Sequence, residues 1–169
     1  MTEIELVGID ADDTLWQSET FFAEVEEKFT ELMSKYSSDT SLEESLSSNE
    51  ISNLRVFGYG VKSFTLSMIE TAHLASGGNI ASSDIKQIIS WGKELLQHPV
   101  ILLDGAEEAI RELASNFTVY IVTKGDLLHQ RSKIEDSGLD KLVAGFDIFH
   151  EKDPESVSYT HLTLPTTSF

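Results

Sequence analysis

Residues 3–16 read Glu3-Ile4-Glu5-Leu6-Val7-Gly8-Ile9-Asp10-Ala11-Asp12-Asp13-Thr14-Leu15-Trp16. The run from Glu3 to Ile9 is short, β-rich and apolar and stops abruptly at acidic residues, which predicts a buried strand ending at a polar edge. Asp10 and Asp12 then stand just past the carboxyl end of that strand, where open α/β sheets place their ligands. Two carboxylates so close must share a cation, share a proton or divide a mechanism between them.

Outward from this stretch, Phe21, Phe22, Val25, Phe29, Leu32, Met33 and Tyr36 recur at spacings of three and four, the period of an amphipathic helix. Ser37 to Ser52 holds seven Ser and three Glu, with Leu42, Leu46 and Ile51 as its apolar anchors, and reads as a polar connector or weak helix. Further helices are predicted from Val61 to Ala75, ended by Gly77-Gly78, and from Asp84 to Gln97, stopped by Pro99. From Ala106 onward, helical and strand patterns alternate. Ala106, Ala109, Ile110 and Leu113 make a helical stripe, Phe117 to Val122 a strand leading into Thr123-Lys124-Gly125-Asp126, Leu127 to Ser137 a helix closed by Gly138, and Phe146 to Phe149 a last strand. Such alternation implies parallel strands joined by right-handed crossovers. The expected fold is therefore an α/β, Rossmann-like parallel sheet built from residues 1–15 and 100–156, with a helical cap inserted after the first strand as residues 16–99.

The chain has 169 residues, a length that allows one domain with an insertion. Its 12 Lys+Arg against 29 Asp+Glu give a formal charge of −17. That balance argues against nucleic acid and anionic membranes as partners, since both call for basic surface. The sequence has no apolar run of about 18 residues and no basic-then-apolar start, so it is expected to be cytoplasmic. Zero Cys excludes disulfides, thiolate metal sites and a Cys nucleophile.

Thr123 follows the second predicted strand and Lys152 the third. A hydroxyl donor and a fixed cation facing two acids suit phosphoryl transfer, where catalysis is mostly positioning and charge neutralisation. At this point the sequence resembles a known family. Val7 to Trp16, V-G-I-D-A-D-D-T-L-W, is similar to the first motif of the haloacid dehalogenase-like hydrolases, hydrophobic residues followed by D-x-D-x-T. Y-I-V-T-K-G-D, from Tyr120 to Asp126, resembles their second motif, and F-H-E-K-D-P, from Phe149 to Pro154, their third, a Lys shortly before Pro. The helical insertion falls where this family carries its C1-type cap.

The resemblance implies a Mg²⁺-dependent phosphatase acting on a small phosphorylated metabolite. Asp10 is implied as the nucleophile that forms an aspartyl-phosphate, and Asp12 as the acid that protonates the leaving oxygen and then activates water. Mg²⁺ would be held by the Asp10 carboxylate and the Asp12 backbone carbonyl. Thr123 would bind a phosphoryl oxygen, with Lys124 and Gly125 beside it in the phosphate loop, Lys124 chiefly through its backbone N–H. Lys152 would neutralise charge between Asp10 and that group. A bound divalent cation and Lys152 can make such a site locally positive on an acidic protein. Asp12 favours phosphatase over 2-haloacid dehalogenase chemistry, because an alkoxide leaving group needs an acid and the family's dehalogenases lack this second Asp. The other readings are a phosphotransferase and a catalytically dead domain that binds a phosphorylated ligand or a protein.

Two departures stand out. Asp13 occupies a position where the commonest form of the motif has Gly, and a turn role is expected there. The fourth motif, G-D with a further Asp, supplies the remaining metal carboxylates, and nothing after Lys152 matches it. The last residues, Val157 to Phe169, contain no Asp, Glu, Lys or Arg, and Val157 to Thr166 resembles the translation of a transposase-type sequencing-library adapter. The expectation is a chain cut short near residue 156, with weak or no activity as it stands. Arg55 to Lys62, with Gly58 and Gly60 flanking Tyr59, reads as a helix-to-helix turn with Phe57 and Tyr59 packed beneath it rather than as a substrate-reading loop. His73, His98, His129 and His150 share no spacing with carboxylates and are expected to be packing or surface residues, and His161 lies in the tail.

Overall fold

Strand β1 (Leu6–Ile9) pairs in parallel with β2 (Thr118–Lys124), and β2 in parallel with β3 (Gly145–Phe149), giving a sheet of order β1-β2-β3. The computed structural model describes residues 5–37 and 41–150. Lys152 and the tail from Val157 lie outside these residues, as does the expected start of the first strand at Glu3 and Ile4. The second strand runs two residues beyond its predicted end at Val122, so that Thr123 and Lys124 belong to its ladder with β3. Between the strands come α1 (Glu19–Met33), α2 (Leu42–Phe57), α3 (Val61–Ala75), α4 (Ser82–Leu96), α5 (Ala106–Asn116) and, after β2, α6 (Leu127–Ser137) with a 3₁₀ turn at Leu139–Lys141. The fold is the α/β class that the alternating pattern predicts.

The contacts divide the molecule into two compact units, one made of residues up to Ser18 together with those from Pro99 onward, the other of Glu19–His98. In the first, Ala11, Leu15, Trp16, Ala106, Ile110, Val119, Ile121, Ile134 and Leu139 form one buried cluster around the sheet. Trp16 is fully buried in this cluster, which is why Trp16 to Ser18 fall with the sheet although the insertion was expected to begin at Trp16. Leaving and returning segments are tied together. Gln17 N–H donates to the Ile101 carbonyl at 2.9 Å and Leu103 N–H to the Leu15 carbonyl at 2.9 Å.

The second unit has its own core, centred on Phe29, Met33, Val61, Phe64, Met68 and Ile88. Of the two readings of Ser37 to Ser52, a polar connector or a weak helix, the structure bears out the helix, which runs unbroken over Leu42–Phe57. Its inner face is the stripe Leu42, Leu46, Asn49, Asn53, of which the second half is polar. Asn49 donates to Thr71 Oγ1 at 2.8 Å, and Asn53 to Ser67 Oγ at 3.1 Å and Glu70 Oε2 at 2.9 Å. Hydrogen bonding replaces hydrophobic burial along half of the α2–α3 contact, so apolar periodicity does not report it. Ile51, taken as an anchor, is 64% exposed. Phe57 is also exposed rather than packed beneath the Gly58–Gly60 turn. Lys35 Nζ pairs with Asp84 Oδ1 at 2.8 Å, and the Tyr36 hydroxyl donates to the same carboxylate, joining the end of the first helix segment to α4. His98 stacks on Phe21, with ring centroids 3.7 Å apart, in the packing role expected of it.

At Gly92, α4 lies directly against Thr65 of α3. A Cβ there would lie 2.2 Å from Thr65 Oγ1, 3.0 Å from its Cγ2 and 3.2 Å from its Cβ. Rotating Thr65 gives no relief, because its branched Cβ presents either group, and its hydroxyl is already committed to the Val61 carbonyl at 2.7 Å. Gly92→Ala is expected to lower stability by about 1–3 kcal/mol through overpacking, despite the better helix propensity of Ala. Urea unfolding checks it, and a raised midpoint would contradict it.

The groove between α1 and α2 is acidic, with Glu26 and Glu31 on one side and Glu43 and Glu50 on the other. Burial, and then the charge of Glu26, push the Glu50 carboxyl up from 4.5 to about 7. A carboxyl raised on folding contributes stability that is complete below its unfolded value and lost as pH rises through its folded value. Glu50→Gln should therefore melt at a higher temperature than the wild type at pH 8 and at the same temperature at pH 4. Thermal melts at the two pH values measure the difference.

Candidate active site

Ile9 and Ile121 are partners in the parallel ladder, so the residues following β1 and β2 leave the sheet at the same edge. This brings the turn that carries Asp10 and Asp12 to the same end of the sheet as Thr123. The chain turns sharply after Asp10. Leu15 N–H donates to the Ala11 carbonyl at 2.8 Å and Asp13 N–H to the Trp16 carbonyl at 2.8 Å. Asp13 sits in the left-handed region with φ 56°, and its carboxylate accepts from Ser18 N–H at 2.9 Å. A short polar side chain that bonds locally tolerates that conformation better than most residues other than Gly. Asp13 thus occupies a turn, as expected.

Asp10 is solvent-exposed at the strand end, while Asp12 is gripped. Trp16 Nε1–H donates to Asp12 Oδ1 at 2.7 Å, Gln130 Nε2–H donates to Oδ2 at 2.7 Å, and Lys133 Nζ bonds to Oδ1. Gln130 Nε2 also reaches Thr123 Oγ1 at 2.8 Å and the Lys124 carbonyl at 3.0 Å, so one buried amide ties together the ends of β1 and β2. Lys133 lies 5.5 Å from the centroid of the Trp16 ring, within cation–π range. The Asp12 side chain is 32% exposed and that of Lys133 13%.

Gln130 and Lys133 come from α6, one turn apart on the same face. The helix is started by Asp126, whose side chain accepts from His129 N–H at 3.0 Å, and ended by Gly138 in the left-handed conformation. Gly125, between β2 and the cap, has φ 142°, and a Cβ on it would stand 3.1 Å from Gln130 Cγ. The glycine gives both the turn and the room that Gln130 occupies. Gln130 and Lys133 were not singled out by the sequence reading. A signal existed: the helical stripe through Ile134 passes one turn back through Gln130, a polar residue where a core residue is expected. Lys152 lies outside the described residues.

Burial on its own pushes the Asp12 carboxyl up, but the Lys133 charge and the hydrogen bonds from Lys133, Trp16 and Gln130 outweigh it and hold the group below its ordinary value of 3.8. Among the described residues no group of three or more His, Asp or Glu is placed to hold a metal ion. The site offers the Asp10 carboxylate and the Asp12 main-chain carbonyl, both hard oxygen donors. This partial set fits Mg²⁺, which keeps several waters and takes few protein ligands.

The sequence matches the family model for haloacid dehalogenase-like hydrolase over residues 4–160. The structure superposes on a haloacid dehalogenase-like family hydrolase from Xanthomonas campestris with a TM-score of 0.86 and 42% identity, covering 92% of this chain and 65% of that one. The chain belongs to the haloacid dehalogenase-like hydrolases. Two further solved structures share the fold at lower identity. The proposed HAD-hydrolase YfnB from Bacillus subtilis, bound to magnesium, has a TM-score of 0.58 at 20% identity and is matched over 87% of this chain and 66% of its own. A predicted phosphoglycolate phosphatase from Haemophilus somnus has a TM-score of 0.54 at 17% identity, over 94% of this chain and 72% of its own. 2-Haloacid dehalogenases are also among the matching structures. No match was found among curated proteins. The chain spans 65% of the length of the Xanthomonas hydrolase.

The grip on Asp12 has a pH signature. A depressed carboxyl contributes stability that is complete above its unfolded value and lost as pH falls through its folded value. Asp12→Asn should therefore melt below the wild type at pH 7, with the gap closing as pH falls below about 4. Circular-dichroism melts from pH 7 to pH 3 follow it, and a gap independent of pH would contradict it.

Proposed function

We propose that the protein is a Mg²⁺-dependent phosphomonoester hydrolase that acts on a small phosphorylated metabolite through an aspartyl-phosphate, with Glu19–His98 as a C1-type cap. The observation that carries this reading is the second carboxylate, Asp12, held by Trp16, Gln130 and Lys133 two residues after an exposed Asp10 and linked through Gln130 to Thr123. Mg²⁺, held by the Asp10 carboxylate and the Asp12 carbonyl, would supply charge neutralisation to the phosphoryl oxygens.

The protein's own groups do the rest. Asp10 attacks phosphorus, and the leaving oxygen departs with a proton delivered through Asp12, which is ionised beforehand and takes that proton from the monoanion of the bound phosphomonoester. An alkoxide is too basic to leave unaided, whereas a halide needs no acid, and this asymmetry separates phosphatase from dehalogenase at the residue occupied by Asp12. Once the alcohol has left, Asp12 is a carboxylate, the form that its surroundings favour, and takes a proton from the water that attacks the phosphorylated Asp10. Thr123 Oγ1 accepts from Gln130, so its own hydrogen points elsewhere and can meet a phosphoryl oxygen. Lys124 and Gly125 present main-chain groups beside it, and Lys152 is proposed as the neutralising cation.

The test is phosphate release by the protein from p-nitrophenyl phosphate and a panel of phosphorylated metabolites. Turnover should vanish with EDTA and return with Mg²⁺, and Asp10→Asn should lower kcat by at least about 10³-fold with the fold intact. No Mg²⁺-dependent release from any phosphomonoester, or halide release from a 2-haloacid instead, would overturn the reading.

A further inference from the structure

We infer that Lys133, together with Gln130, is a positioning residue that fixes the Asp12 carboxylate for proton transfer. The inference rests on the phosphatase reading for its catalytic consequence, but its geometric content stands apart from that reading. Three features of the structure carry it.

First, Lys133 is almost wholly withdrawn from solvent, with 13% of its side chain exposed, although a lysine with its four-carbon stem on a short surface helix can reach water easily. Its neighbours Arg131 and Glu135 show the ordinary alternative, an exposed pair at 2.8 Å along the outside of α6. Lys133 forgoes that hydration for Asp12, 121 positions away in sequence. Second, Asp12 is bonded on both oxygens at once. Trp16 and Lys133 meet at Oδ1, Gln130 takes Oδ2, and Trp16 and Gln130 are themselves buried. A carboxylate held by one partner still swings about its χ angles, whereas one held on both oxygens by donors from different segments has a single orientation. Third, Gln130 is shared with Thr123, so the orientation of Asp12 is referred to the end of β2, where the phosphoryl group is proposed to sit. Proton transfer depends steeply on donor placement, and an error of about 1 Å can cost 10²-fold in rate.

Lys133 thus acts through Asp12 without touching substrate. Its loss should lower kcat and leave KM nearly unchanged, because substrate binding does not use it. A residue that instead bound the phosphate would show the reverse.

The experiment uses the full-length protein with Lys133→Met, Lys133→Arg and Gln130→Leu, each checked for a cooperative melt. The first readout needs no substrate: the indole N–H proton resonance of Trp16, whose donor bond ends on the same Asp12 oxygen as Lys133. It should move in Lys133→Met and Gln130→Leu and return toward the wild-type position in Lys133→Arg. The second is turnover of p-nitrophenyl phosphate with Mg²⁺, in which Lys133→Met should lose about 10–100-fold in kcat with KM changed less than about threefold, and Lys133→Arg should recover most of the loss. An unmoved indole resonance with unchanged kcat would overturn the inference, as would a raised KM at unchanged kcat. If Lys133→Met does not fold, Lys133→Gln, which removes the charge and keeps a polar head, takes its place in both readouts. Failure of the wild type to turn over any phosphomonoester overturns the phosphatase reading and the catalytic role of Lys133, while the indole shift still decides whether Lys133 fixes Asp12.

Discussion

The arrangement at the sheet edge depends on one partly buried charge, the Asp12 carboxylate. Removing a carboxylate from water is costly unless donors replace the lost hydration, and here they come from Trp16, Gln130 and Lys133. Each donor needs something further. Trp16 has to be buried in the core, Gln130 needs a helix starting at Leu127 and a glycine at position 125, and Lys133 needs the same helix one turn on. The electrostatic requirement of a single group therefore constrains the loop after β1, the end of β2 and the orientation of α6. Asp10, two residues earlier, is exposed to solvent.

This asymmetry between two adjacent carboxylates is the chemically informative feature of the site. Identical side chains take different work when their surroundings differ, and here one is exposed at the strand end while the other is fixed in place by three donors. Membership of the haloacid dehalogenase-like hydrolases is compatible with several chemistries, and fold alone does not choose among them. The choice lies in whether an acid is available to the leaving group. That is a property of Asp12 and its donors.

The Glu19–His98 unit follows a different logic. Its helices meet through apolar residues on α1, α3 and α4 and, at the start of α2, through Leu42 and Leu46, while the second half of α2 is attached through Asn49 and Asn53, whose amides bond Thr71, Ser67 and Glu70. Small and polar residues let helices approach closely, as Gly92 and Thr65 also do, at the cost of tolerance to added volume. Across the α1–α2 groove, by contrast, Glu26, Glu43 and Glu50 accumulate like charge, and burial raises Glu50 accordingly.

Much of this was legible in the amino-acid order. The strand ending at Ile9, the helix from Val61 to Ala75 and the helix closed by Gly138 follow from local rules, because periodicity, glycine and capping chemistry act within a few residues. The D-x-D pair and the turn at Asp13 were visible for the same reason. Local rules could not decide α2, which they leave as either a connector or a weak helix, since its packing face is half polar and a hydrophobic period does not register hydrogen-bonded burial. Nor could they reach Gln130 and Lys133, whose partner Asp12 lies 118 and 121 positions away. Sequence determines where a polar residue stands on its helix. Only the tertiary structure decides what charge it meets there, because that pairing is set by the register of β1 on β2 and by the helix that follows.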